Sequence, residues 1–178
     1  MNHRKARTVR TGAENTPKVD PLIKALLDRV TTAIGDDSVA LIYQHQIRSD
    51  RTRRYELPPP AKSGLMPEVE IMHTLLGIEL RVGRRRLACP DLSTARYLAV
   101  FARLGVSAVA LPYDITRIAR LADDLESAFY RMIAFADSEG TGLSDSRLKR
   151  LKKLLILWQR EKVESIGPGP VAPQFNRR

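Results

Sequence analysis

Apolar and polar residues alternate most regularly in the segment from Gly77 to Asp114. Two stretches there carry apolar residues at every second position, separated by Gly83-Arg84: first Ile78, Leu80 and Val82, then Leu87 and Cys89. Such alternation is typical of a strand with one buried face, and a glycine that opens a two-residue loop favours a type II′ turn. The pattern predicts a β-hairpin in which Leu80 faces Leu87.

A helix and a third strand are expected after this hairpin. Asp91 suits the N-cap position, apolar residues recur at helical spacing to Leu104, and Gly105 can take the left-handed conformation that ends a helix. Residues 106–111 are a short apolar run, typical of a strand buried on both faces. Because strand–helix–strand connections return to the same sheet with a right-handed crossover, the pattern predicts a ββαβ unit with one parallel pairing.

The first part of the chain predicts one helix and two strands. Asp20 and Pro21 are typical of a helix start, and apolar residues recur at three- and four-residue steps up to Gly35. Residues 39–47 alternate between a more apolar and a more polar face, which is the period of a strand. Residues 51–57 are expected to form the strand that pairs with it across a short turn.

Three prolines at positions 58 to 60 begin a predicted loop that extends to Leu65, because proline cannot donate to a strand ladder. Pro67 with acidic residues just behind it resembles a helix start. We therefore expect a helix up to Leu76, with an extended conformation as the close alternative.

Two long helices are predicted after the central unit. Apolar residues recur at three- and four-residue steps after Asp114, which is typical of a helix with one buried face. Gly140 and Gly142 interrupt this pattern, and a last helix starts at Ser144 or Asp145. Its polar face is basic, with Arg147, Lys149, Arg150, Lys152, Lys153 and Arg160. The short connection favours an antiparallel helical hairpin over residues 114–166.

The chain is thus predicted to contain one domain between two flexible segments. Residues 1–19 hold six basic residues, His3 among them, and too few apolar ones to offset the entropy of ordering. Residues 167–178 contain three prolines and form a tail. Residues 20–166 suffice for a single domain with a core. The predicted fold class is α+β: a mixed β-sheet that contains the ββαβ unit over residues 77–114, flanking helices and the C-terminal helical hairpin.

The charge of the chain points to a class of partner. Lys and Arg number 30 against 20 Asp and Glu, which gives a net charge of +10 and a pI near 10.2. An excess of this sign favours a polyanion, with nucleic acid (DNA or RNA) as the first candidate. Residues 113–143 are net acidic, whereas residues 144–178 are net basic. Antiparallel packing is expected to bring acids of the first helix near lysines of the second: Asp123, Asp124 and Glu126 near Lys149, Lys152 and Lys153.

Arginines at two predicted turns are the candidate binding residues. A guanidinium group binds phosphate in bidentate fashion, and phosphate contacts position a protein on nucleic acid. The competing interpretation is that charged turns are simply solvated and protect strand edges. The eight candidates are Arg81, Arg84, Arg85 and Arg86 at the hairpin and Arg48, Arg51, Arg53 and Arg54 around the other turn.

No pattern indicates a metal site, a cofactor or a covalent nucleophile. Cys89 is interpreted as a small buried residue, and His45 as a core or boundary histidine. A metal-dependent nuclease is an alternative, because such enzymes often share this order of helices and strands. The acids available to hold its metal are Glu56, Glu79 and Asp91. Binding without catalysis is favoured over this alternative.

The last helix supports a further alternative. Its apolar run from Leu154 to Trp158 is wider than one buried face requires, which predicts a protein partner or a second copy of the chain. A basic amphipathic helix also suits an anionic membrane surface. No apolar run approaches the roughly 20 residues that cross a bilayer, and no secretory signal pattern begins the chain. With one cysteine, which fits a reducing compartment, a cytoplasmic location is expected.

Overall fold

The computed structural model describes residues 20–59 and 67–169. The elements in chain order are α1 (Pro21–Ile34), α2 (Val39–Ser49), β1 (Thr52–Glu56), β2 (Val69–Thr74), β3 (Gly77–Val82), β4 (Arg85–Cys89), α3 (Leu92–Leu104), β5 (Ala108–Pro112), α4 (Ile115–Glu139) and α5 (Asp145–Ile166). The α+β class and the C-terminal pair of helices are confirmed. The predicted arm, most of the proline loop and the tail beyond residue 169 lie outside the described residues.

The hairpin at the centre of the prediction is present. Leu80 lies opposite Leu87, and Ile78 lies opposite Cys89. Gly83, the first central residue of the turn, has a φ of 58°. Arg84, like every other non-glycine residue in the described ranges, does not have a positive φ. A type II′ turn requires this combination. Helix α3 packs on this sheet and buries Leu80 completely. The predicted β-hairpin and its turn are confirmed.

The ends of the helices also follow the sequence signals. The Asp20 carboxylate accepts a hydrogen bond from the Leu22 N–H, and the Asp91 carboxylate accepts one from the Thr94 N–H. Gly105 ends α3 in the left-handed conformation with a φ of 78°. Helices α1 and α3 were therefore predicted correctly from local side-chain caps.

The prediction of a strand over residues 39–47 is wrong, because this segment is helix α2. Its buried residues are Val39, Ala40, Tyr43 and Gln46, which share one helical face. The Ser38 hydroxyl caps the helix, and the buried Gln159 side chain on α5 accepts a hydrogen bond from the Ala40 N–H at 3.1 Å. His45 is exposed on α2, so the expectation of a core or boundary histidine is also wrong.

The favoured helix after Pro67 is likewise wrong, and the extended alternative is correct. Strand β2 pairs antiparallel with β3 over its whole length, from Val69 opposite Val82 to Thr74 opposite Gly77. Only two residues, both exposed leucines, connect the strands. Two strands joined by so short a connection pair antiparallel, because a parallel pair needs a long crossover.

The predicted mixed sheet is replaced by two antiparallel sheets, one with the order β2–β3–β4 and one formed by β1 and β5. Arg53 lies opposite Leu111, and Thr52 lies opposite Pro112. The ββαβ order of elements is present, but its parallel pairing is not. The strand over residues 51–57 was located correctly and was assigned the wrong partner.

The second edge of β5 is bonded to side chains. The Tyr43 hydroxyl accepts a hydrogen bond from the Ala110 N–H at 2.7 Å, and the Tyr97 hydroxyl donates to the Ala110 carbonyl at 2.6 Å. Gln46 also reaches this carbonyl, at 3.4 Å. Because both polar groups of Ala110 are satisfied in this way, this edge of β5 does not need a parallel strand to bond it.

Helices α4 and α5 pack together, but the predicted charge pairs between them are wrong. Arg96 on α3 binds both Asp123 and Glu126, at 2.8 and 2.6 Å. Among the described residues, the ion pair that joins the two helices is Lys152–Asp137, at 2.6 Å. Helix α5 also contacts α1, α2 and α3. No helix in the described part of the chain is both long and apolar enough to span a membrane.

Candidate nucleic-acid interface

The hairpin turn presents three arginines to solvent. Arg84 occupies the second central position of the turn, and Arg85 and Arg86 begin β4. All three side chains are exposed. Arg84 and Arg85 form no ion pair with any described residue, whereas Arg86 lies 3.6 Å from the Glu79 carboxylate. The turn therefore offers two free guanidinium groups and a third with a loose partner.

Arg81 is a weaker candidate than the sequence indicated. Its guanidinium group binds Glu70 at 2.6 Å and lies 3.5 Å from Glu68, and its side chain is 34% exposed. Arg81 faces Arg86 across the strand pair, so the neighbouring glutamates reduce the repulsion between two like charges. This residue is engaged within the sheet and contributes less to a phosphate surface.

The second group of arginines surrounds the end of the β1–β5 pair. Arg48 is exposed in the last turn of α2, and Arg54 binds Glu56 at 2.5 Å. The guanidinium carbons of Arg51 and Arg53 lie 5.5 and 5.7 Å from the centre of the Tyr113 ring. Both distances are within the range of cation–π attraction. The structure thus gathers Arg51 and Arg53 around one aromatic ring.

Tyr113 is a candidate functional residue that the sequence reasoning missed. It follows Pro112 directly after β5, and it is 49% exposed. An aromatic residue among arginines suits nucleic acid, because bases stack on aromatic rings and phosphates bind arginine. The signal was present in the sequence as a lone tyrosine after a buried strand. Its meaning depends on the pairing of β5 with β1, which places it beside Arg51 and Arg53.

A cleft of about 280 Å³ lies beside this ring, lined by Ser49, Asp50, Arg51, Pro112, Tyr113, Asp114 and Arg117. Arg117 donates to both oxygens of Asp50, with the shortest distance at 2.7 Å. Hydrogen bonding to Asp50 raises the pKa of the Arg117 guanidinium. The Asp50–Arg117 ion pair therefore lines one side of the cleft.

Two acids of the nuclease alternative are bound within the fold, whereas Glu79 has only Arg86, 3.6 Å away, and one of its buried oxygens has no hydrogen-bond partner among the described residues. Glu56 binds Arg54, Glu79 faces Arg86, and the Asp91 carboxylate accepts hydrogen bonds from the Thr94 N–H and hydroxyl. Within residues 20–59 and 67–169, no group of three or more His, Cys, Asp or Glu residues could hold a metal ion.

Cys89 is buried, as predicted, and it is a free thiol. Burial raises the pKa of this thiol to about 11. Because the thiolate is the nucleophilic form, little of Cys89 is in that form near neutral pH.

Helix α5 carries a second basic surface. Arg147, Lys152 and Arg160 form ion pairs, with Asp20, Asp137 and Glu164 respectively. Lys149 and Lys153 are exposed and have no carboxylate partner among the described residues. In the apolar run, Leu155 and Ile156 are buried, Leu154 and Trp158 are partly buried, and Leu157 is exposed. Packing against four other helices accounts for most of this width.

No family model, curated protein or solved structure matches this chain. Side-chain geometry and charge are therefore the basis on which a function can be argued.

Proposed function

We propose that this protein binds nucleic acid through arginine–phosphate contacts and does not catalyse a reaction on it. The contact surfaces are the hairpin turn with Arg84, Arg85 and Arg86 and the end of the β1–β5 pair with Arg48, Arg51 and Arg53. Both surfaces are exposed or partly exposed on the described part of the fold.

The observation that carries this proposal is the distribution of unpaired arginines. Eight arginines in the described ranges form no ion pair with a carboxylate, whereas nine do. Five of the unpaired eight belong to the two surfaces: Arg48, Arg51, Arg53, Arg84 and Arg85. Elsewhere most arginines are neutralised within the fold. Arginine charges left without carboxylate partners at these two surfaces favour an external anion as their ligand.

Arginine is also the residue type that fits phosphate best. Its planar guanidinium group presents parallel N–H donors to two phosphate oxygens, and it is less strongly hydrated than a lysine ammonium group. The net charge of +10 adds a long-range attraction that raises the rate of encounter with a polyanion. The arrangement supports backbone binding of low sequence preference, because phosphate contacts do not read bases.

The test is a titration of fluorescently labelled duplex DNA, single-stranded DNA and single-stranded RNA, followed by fluorescence anisotropy at several salt concentrations. We expect binding at low salt that weakens as salt rises, because each phosphate contact releases bound counterions. Polyglutamate serves as the control competitor, since it matches the charge of nucleic acid and lacks phosphate. Absence of binding to all three nucleic acids, or equal competition by polyglutamate at equal charge, would overturn the proposal.

A further inference from the structure

The geometry points to Tyr113 and the cleft beside it as a receptor for one unpaired nucleobase, which makes single-stranded nucleic acid the preferred substrate. This inference rests on the proposed function, because it specifies which form of nucleic acid one of the two surfaces takes. Tyr113 is not one of the eight candidate arginines, and its proposed contact is with a base and not with a phosphate.

The first support is the accessibility of the ring. Tyr113 is 49% exposed although two guanidinium groups lie within 5.7 Å of its centre. Both guanidinium groups lie over the ring, so a base that stacks on it would displace at least one of them, which is then free to bind the phosphate of that nucleotide. Base–aromatic stacking of this kind tolerates every base, because every base has a π face. In a duplex both faces of a base are covered by its neighbours, so only an unpaired base can stack here.

The second support is the size of the cleft. Its volume of about 280 Å³ lies just below the range of roughly 300 to 1,000 Å³ that holds drug-sized ligands. Space on this scale suits one flat base and is small for a dinucleotide cofactor. Pro112 and Tyr113 contribute the apolar and aromatic part of the lining.

The third support is the charge inside the cleft. Two carboxylates, Asp50 and Asp114, line it together with Arg51 and Arg117. Asp50 is bound to Arg117, and one oxygen of Asp114 accepts a hydrogen bond from the Thr116 N–H at 2.8 Å. Carboxylates repel a phosphate, but they accept hydrogen bonds from the N–H groups of bases, such as the amino group of cytosine and the ring N–H of uracil. The base therefore belongs in the cleft, and the phosphates belong at the outer arginines.

The fold supplies a matched control at Tyr130. This ring is 54% exposed and has one guanidinium group, that of Arg103, at 5.7 Å from its centre. Its surroundings include Phe129, Ile133 and Lys152, and Arg103 is the one arginine that lines the cleft beside Tyr130 among the described residues. Tyr130 resembles Tyr113 in exposure and residue type, and it lies outside both proposed surfaces.

The experiment measures the affinity of labelled single-stranded DNA, single-stranded RNA and duplex DNA for the wild type and for Tyr113→Ala, Tyr113→Phe and Tyr130→Ala. Loss of one stacked base corresponds to a decrease of about 5- to 150-fold in affinity. We expect this decrease for Tyr113→Ala on both single strands, with duplex affinity unchanged. The salt dependence of single-strand binding should stay the same, because no phosphate contact is removed. Tyr113→Phe and Tyr130→Ala should bind as the wild type does.

A second measurement does not depend on the variants folding. Ultraviolet cross-linking of the wild-type protein to a single strand that contains 5-iodouracil should modify Tyr113, as read by mass spectrometry of the peptides. A cross-link at Tyr130 or on α5 in place of Tyr113 would overturn the inference. So would an equal loss of single-strand and duplex affinity in Tyr113→Ala, or a wild type that prefers duplex. In those cases salt-dependent binding by the wild type would leave the proposed function standing, whereas failure to bind any nucleic acid would remove both.

Discussion

The hydroxyl oxygen of Tyr43 accepts a hydrogen bond from the backbone N–H of Ala110 at 2.7 Å. A side chain of helix α2 thereby completes the edge of strand β5, which leaves β5 paired with β1 alone. The same hydroxyl donates to the carbonyl of Gly167 at 2.9 Å, so the chain after α5 is also joined to this point. The position of β5 in turn places Tyr113 beside Arg51 and Arg53.

We expect Tyr43→Phe to lower the free energy of unfolding by about 1 to 3 kcal/mol, because it leaves the buried Ala110 N–H without a partner. Urea denaturation of the variant and the wild type measures the difference. Tyr55→Phe is the control: its ring is partly buried, and its hydroxyl has no hydrogen-bond partner among the described residues. That change should stay within about 0.5 kcal/mol. Equal effects of the two substitutions would show that the Tyr43 bond does not stabilise the strand edge.

Alkaline pH should destabilise the fold, and the loss of stability should begin near pH 9, before most lysines lose their charge. Burial raises the pKa of Tyr43 from 10.0 to about 12 and that of Cys89 from 9.0 to about 11. The unfolded chain therefore loses these protons first as pH rises, so their contribution to stability is full below about pH 9 and is lost as pH rises toward 12.

The free energy of unfolding, measured by urea titration at successive pH values, should fall from about pH 9 upward. The double variant Tyr43→Phe, Cys89→Ala should show a flatter decline than the wild type, since it lacks two of the responsible groups. A wild-type stability that rises over this range would contradict the assignment of these groups as buried and neutral.

Gly83 tests the hairpin turn. Replacing it with valine should destabilise the fold by about 1 to 3 kcal/mol, because a β-branched residue is strained at positive φ. An added Cβ would meet no atom within 4 Å, so the cost is in the backbone alone. Gly83→Asn is the matched variant and should cost less, since asparagine tolerates the left-handed region. An unchanged denaturation midpoint for Gly83→Val would mean that the turn has another conformation in solution.

The elements that were predicted correctly depend on residues close together in the sequence. The elements that were predicted wrongly depend on contacts between residues far apart in the sequence. The β3–β4 hairpin and α3 depend on Gly83, Asp91 and Gly105, whose partners lie within a few positions along the chain. The helical nature of α2 depends on a face shared by Tyr43 and Gln46, and this segment also has an alternating pattern that fits a strand equally well. Its N-terminus is completed by Gln159, more than a hundred residues away. A pattern of neighbouring residues in the sequence cannot reveal that contact.

The candidate site shows the same division. The arginine groups were visible in the sequence because they are clusters along the chain. Which of them are neutralised was not visible, since Arg81 depends on β2 and Arg54 on its own strand conformation. The role of Tyr113 was hidden because residue 113 meets residues 51 and 53 only through the β1–β5 register.

The nuclease alternative gives a direct enzymatic prediction. Incubation of the protein with labelled DNA or RNA and Mg²⁺ or Mn²⁺ should leave the substrate intact, because Glu56 and Asp91 are engaged with Arg54 and Thr94 and no group of three His, Cys, Asp or Glu residues in the described ranges could hold a metal ion. Gel electrophoresis of the reaction measures cleavage. Metal-dependent cleavage that disappears in Glu79→Gln would establish a nuclease and remove the non-catalytic proposal.

The central claim is that arginines of the hairpin turn and of the end of the β1–β5 pair, rather than the lysines of α5, contact phosphate. The slope of log affinity against log salt measures the number of phosphate contacts, with about 0.9 per contact for duplex DNA. Two variants that each remove three positive charges form the comparison. One replaces Arg84, Arg85 and Arg86 with alanine, and the other replaces Lys149, Lys152 and Lys153 with glutamine.

The arginine variant should flatten the salt slope by about two units and weaken binding on every sequence alike, because Arg84 and Arg85 are unpaired and Arg86 is only loosely paired. The lysine variant should keep the wild-type slope and lose some stability through the Lys152–Asp137 pair. The reverse result would contradict the central claim. In that case the arginine variant would keep the wild-type slope and affinity, and the lysine variant would remain folded and lose binding.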